Sequence, residues 1–96
     1  MKAQQLVREK RADILRVAAA YGARNVRLFG SAARGDDTRA SDVDILVAMD
    51  EGRGLFDLVA LWQDLEDLLG CKVDLLTDGG ISPYLVDRIY AEAVPL

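Results

Sequence analysis

The stretch Ser41-Asp42-Val43-Asp44-Ile45-Leu46-Val47-Ala48-Met49 decides how this chain folds. From Val43 to Met49 it is apolar and β-rich on both faces, the pattern of a strand inside a sheet. Two aspartates open it. Side chains alternate along a strand, so Asp42 and Asp44 point to one face.

The flanking segments fit around that strand. Before it, Asn25-Val-Arg-Leu-Phe-Gly30 is a short apolar run ending in glycine, read as a first strand over 25–30. About a dozen residues separate the two, which suits an antiparallel pair. After it, Asp50-Glu51-Gly52-Arg53-Gly54 reads as a loop. Residues 55–69 follow as the strongest helix, with Leu55, Leu58, Val59, Leu61, Trp62, Leu65, Leu68 and Leu69 spread over about half its circumference. That face is wider than one sheet needs, so part of it is core or a partner surface. Gly70 ends the helix. Lys72-Val-Asp-Leu-Leu-Thr77 is the third strand; joined to the second through a whole helix, it is expected to run parallel to it.

The ends are helical. Residues 3–21 read as one helix with an apolar stripe of Leu6, Val7, Ile14, Val17, Ala18 and Tyr21, stopped by Gly22. Lys10 falls inside the stripe, its stem packed and its ammonium snorkelling outward. Ser82-Pro83 reads as an N-cap followed by proline at N1 of a last helix running to Ala93. The expected order is α-β-β-α-β-α, an α/β (α+β) domain with a small mixed sheet and flanking helices, spanning 1–96.

This topology brings chemistry together. If the first two strands are antiparallel, Gly30-Ser31 lies beside Asp42 and Asp44; if the third is parallel to the second, Asp74 joins them. Three close carboxylates repel one another unless a cation is present. Their hard oxygens suit Mg²⁺ together with substrate phosphates. A Gly-Ser turn lets backbone N–H groups and a hydroxyl approach phosphate oxygens, and Arg34 can add a bidentate fork. These are the parts of a phosphoryl or nucleotidyl transferase that uses a triphosphate.

Composition narrows the alternatives. The chain has 96 residues, a net charge of −4, one cysteine and no histidine. That excludes histidine triads, His-ligated metals, cysteine-cluster zinc and an internal disulfide. Residues 1–27 carry seven basic and two acidic side chains, while the remainder is strongly acidic. A protein that coats nucleic acid needs a broad basic surface, so direct nucleic-acid binding is not expected. No apolar run approaches the ~20 residues of a membrane span, and charges interrupt the N-terminus where a signal peptide would be apolar. The expected location is the cytoplasm. Tyr84 and Tyr90 read as helix packing, and Cys71 as a small buried apolar residue.

The sequence also resembles a known family. Gly30-Ser31, ten residues, then Asp42-Val43-Asp44 is similar to the signature of the polymerase-β-like nucleotidyltransferases, most closely their minimal nucleotidyltransferase (MNT) branch. The wider segments Gly30-Ser-Ala-Ala-Arg-Gly35, Leu69-Gly-Cys-Lys-Val-Asp74 and Ala93-Val-Pro-Leu96 extend the resemblance over nearly the whole chain. Gly, Ser, Asp and Asp at these offsets arise by chance in on the order of one chain in a thousand, so the match is specific.

The resemblance implies a division of labour. Asp42 and Asp44 would bind two Mg²⁺ ions. Asp74 would help to bind one of them and take the proton of the acceptor hydroxyl. Gly30, Ser31 and Arg34 would hold the phosphates of ATP. The reaction implied is attack of an acceptor hydroxyl on the α-phosphorus with release of pyrophosphate. MNT proteins commonly accompany a helical HEPN ribonuclease toxin, and some silence it by transferring AMP to a tyrosine. The resemblance therefore implies an antitoxin that is itself a protein adenylyltransferase. The alternative is a non-catalytic antitoxin or scaffold that neutralises its HEPN partner by binding alone.

Overall fold

The computed structural model describes residues 2–35 and 43–96. The chain runs α1 (Ala3–Glu9), α2 (Arg11–Ala20), β1 (Ala23–Phe29), α3 (Gly30–Arg34), β2 (Val43–Met49), α4 (Leu55–Leu69), β3 (Val73–Thr77), a 3₁₀ turn (Asp78–Gly80), α5 (Val86–Glu92) and β4 (Val94–Pro95). The strands form one mixed sheet in the order β3-β2-β1-β4. β1 is antiparallel to β2 and β4, and β2 is parallel to β3, so both expected pairings hold.

The two sheet faces differ. Val43, Ile45 and Val47 of β2 pack with Val7, Ile14 and Ala18 of the first two helices and Leu61, Leu65 and Leu69 of α4 in the main core. The alternate residues turn the other way, where a smaller cluster of Phe29, Leu46 and Ile89 is covered by α5. A bulge in β1 sets which residues face which side. Arg24 pairs with Ala48 but Arg27 with Leu46, three residues against two. Asn25 takes up the difference at φ 52, a conformation asparagine tolerates better than most residues. The slip sends Val26 and Leu28 to the main core and Arg27 to the other side.

Several boundaries differ from the sequence reading. The expected helix over 3–21 is two helices that break at Lys10, where φ is −98° and ψ is 10°. No glycine or proline marks the break, and Val7 and Ile14, seven apart, stay fully buried across it. The segment from Gly30 forms a short helix, and β4 adds an unexpected edge strand. The last helix begins at Val86, three residues beyond the expected proline N1. Ser82 still caps locally, but it closes a turn: its Oγ accepts from the Tyr84 N–H at 3.4 Å and its carbonyl from the Leu85 N–H at 2.9 Å. β2 and α4 have their expected bounds. On α4, Leu55, Phe56, Val59 and Trp62 are exposed, which places the surplus width of its apolar face at the surface. Cys71 is half-buried against the main core.

Candidate active site

The register of three strands builds the site. Phe29, the last residue of β1, lies opposite Asp44 on β2, and Asp44 lies level with Asp74 on β3. Neighbouring strands are about 4.8 Å apart and paired residues share a face, so the two carboxylates stand side by side. They occupy the less covered face of the sheet, with Asp44 half-buried and Asp74 exposed. Gly30 follows directly. Its φ is +70°, and a Cβ there would overlap Asp44 Oδ2 and lie 3.0 Å from Asp44 Cγ. Only glycine fits both that backbone conformation and that approach.

Ser31 and Arg34 stand on α3, which rises from this point. Ser31 is half-buried, and its carbonyl accepts the Gly35 N–H at 3.0 Å. Arg34 Nη1 donates to Glu92 Oε2 on α5 at 3.0 Å. Thus Gly30, Ser31, Asp44 and Asp74 meet at one end of the sheet, with Arg34 one helical turn away. Asp42, with Ser41, lies outside the described residues. Among the described residues no group of three or more metal-ligating side chains is present; Asp44 and Asp74 are a pair.

The same face holds a second polar cluster that the sequence reading missed. Arg27 is buried on β1. Its Nη2 donates to both carboxylate oxygens of Asp78, at 2.8 and 2.9 Å, and its Nε to the Asn25 carbonyl at 2.9 Å. The Tyr90 hydroxyl donates to Asp78 Oδ1 at 2.7 Å, and the Arg27 guanidinium lies 5.6 Å from the Tyr90 ring centre. Burial raises the pKa of Asp78. The hydrogen bonds from Tyr90 and Arg27, with the charges of Arg27 and Arg24, outweigh that and hold it below the usual carboxylate range. The hydrogen bond to Asp78 pushes the Tyr90 phenol up. Tyr90 therefore anchors the turn after β3, which is more than helix packing. The readable signal was an arginine inside an apolar strand.

The family model of the nucleotidyltransferase domain matches residues 12–96. This chain belongs to the nucleotidyltransferase domain family. The nucleotidyltransferase is 43% identical over 88 residues to MJ0435 of Methanocaldococcus jannaschii, a candidate protein adenylyltransferase, covering 92% of this chain and 95% of that one. A solved structure of a candidate minimal nucleotidyltransferase superposes with a TM-score of 0.89 at 43% identity, over 100% of this chain and 97% of the other. A toxin–antitoxin complex solved with AMP-PNP shares the fold, with a TM-score of 0.75 at 24% identity over 88% of this chain and 69% of that one. None of the helices among the described residues of the nucleotidyltransferase is long and apolar enough to cross a membrane.

Proposed function

We propose that this nucleotidyltransferase, acting as one domain over 1–96, is a Mg²⁺- and ATP-dependent protein adenylyltransferase. Its proposed target is a tyrosine of a helical HEPN-type toxin, and its role that of the toxin's antitoxin. The observation that carries the reading is the register that sets Gly30, Asp44 and Asp74 side by side on one open sheet face. The relative named for protein adenylylation and the toxin–antitoxin complex holding AMP-PNP support the choice of nucleotide and partner.

Asp44 and Asp74 offer adjacent carboxylate oxygens, the donor chemistry that suits Mg²⁺, and Asp42 stands two residues before Asp44 in sequence. When bound there, the metal supplies charge neutralisation for the triphosphate and the leaving pyrophosphate. The chain's own residues do the rest. The Gly30-Ser31 backbone and the Ser31 hydroxyl hold the phosphate tail, and Arg34 adds charged donors to it. Asp74, the exposed carboxylate, accepts the proton of the acceptor hydroxyl. The hydroxyl oxygen then bonds to the α-phosphorus as the bond to the pyrophosphate oxygen breaks.

The test is incubation with ATP labelled at the α-phosphate, Mg²⁺ and a co-purifying helical partner. Label on the partner, lost in Asp44→Asn, is the expected result; an unlabelled partner that nonetheless binds overturns the transfer. A second reading, neutralisation by binding alone, is favoured by the exposed Leu55, Phe56, Val59 and Trp62 stripe on α4. It requires that Asp44→Asn still neutralise.

A further inference from the structure

The C-terminal segment is fixed to β1, the strand that leads into Gly30. Val94 pairs with Leu28 and Pro95 with Arg27, and the Leu96 N–H donates to the Val26 carbonyl at 3.0 Å. Two residues before Val94, Glu92 ends α5, which packs against α3. The Glu92 carboxylate spans the gap. Its Oε2 accepts from Arg34 Nη1 at 3.0 Å, and its Oε1 lies 3.6 Å from Arg88 Nε, one turn earlier on α5.

The three side chains differ in setting. That of Glu92 is 23% exposed, that of Arg34 41% and that of Arg88 73%. A long, exposed arginine loses much rotamer freedom when it grips a ligand, and holding it in advance reduces that cost. A guanidinium is a rigid planar fork, so a carboxylate bonded along one edge sets the direction of its other donors.

We propose that Glu92 is a positioning residue whose carboxylate holds the Arg34 guanidinium at the phosphate end of the nucleotide site. This rests on the reading of Arg34 as a phosphate ligand. Arg88 shares the same carboxylate from the solvent side and contributes little.

The test is calorimetric titration of AMP-PNP with Mg²⁺ at fixed ionic strength into the full chain. Arg34→Ala is expected to weaken binding on the order of tenfold, the size of one charge-assisted hydrogen bond. Glu92→Ala should weaken it by about three- to tenfold, and Glu92→Gln, which keeps a neutral acceptor of the same shape, by less. In an Arg34→Ala background, Glu92→Ala should cause no further loss. A purely structural role for Glu92 would weaken binding equally in both backgrounds, and that result overturns the proposal. So does unchanged or tighter binding by Glu92→Ala, which would mean that Glu92 competes with the nucleotide for Arg34. If Glu92→Ala fails to melt cooperatively, Glu92→Gln carries the same comparison. Wild-type affinity in Arg34→Ala itself refutes the phosphate reading of Arg34. Weakened Arg34→Ala with normal Glu92 variants refutes only the role of Glu92.

Discussion

Replacing Gly30 by alanine should cost the enzyme activity that its loss of stability does not account for. Two separate effects meet at this position. The first is backbone strain: Gly30 has φ +70°, and an L-residue in that region costs roughly 1–2 kcal/mol. The second is contact. The new methyl would overlap Asp44 Oδ2 and sit 3.0 Å from Asp44 Cγ, whereas ordinary contact begins at 3.4 Å. The carboxylate must therefore recede by several tenths of an ångström to about 1 Å, and misplacements of that size cost on the order of 10–100-fold in rate. Gly70 supplies the control. It has φ +67°, yet a Cβ there meets nothing within 4 Å, so Gly70→Ala carries the strain without the collision. Thermal melts should show Gly70→Ala destabilised by roughly 1–2 kcal/mol and Gly30→Ala by at least that much. Single-turnover AMP transfer should fall only in Gly30→Ala. Equal activity in the two variants would refute the placement of Asp44 in the reacting site.

Asp74→Asn should abolish transfer while moving stability by no more than about 0.5 kcal/mol, as expected of an exposed side chain; a melt and a labelling gel check both. Asp78→Asn strips a charged partner from buried Arg27 and should destabilise by about 1–3 kcal/mol at neutral pH. The folded pKa of Asp78 is lowered, so its contribution is present above the unfolded carboxylate value near ~4 and lost as pH falls through the still lower folded value. Urea melts of the two proteins should therefore converge under acid conditions and stay apart at pH 7. Phe56→Ser, at a residue 91% exposed, should leave the melt within about 0.5 kcal/mol of wild type but weaken co-purification with a helical partner.

Legibility in the sequence followed the range of the interactions. β2 and α4 were readable to the residue because a continuous apolar run and a helical repeat each carry their own signal. The mixed sheet followed from connection lengths, and with it the meeting of Gly30, Asp44 and Asp74. The break at Lys10 left no mark, since the buried stripe continues across it. β4 has two residues, too few for any periodicity, and it exists only through pairing with β1. Arg34 meets Glu92 across 58 residues of chain, a pairing that no local pattern shows. Arg27 and Asp78 were missed for the same reason, being 51 residues apart.

The most direct test of the nucleotide site is a titration of AMP-PNP into the wild-type chain and Asp44→Asn, with and without Mg²⁺. Saturable binding by the wild type that requires Mg²⁺ and is lost in Asp44→Asn is the expected result. Equal binding by both proteins, or binding indifferent to Mg²⁺, would contradict it.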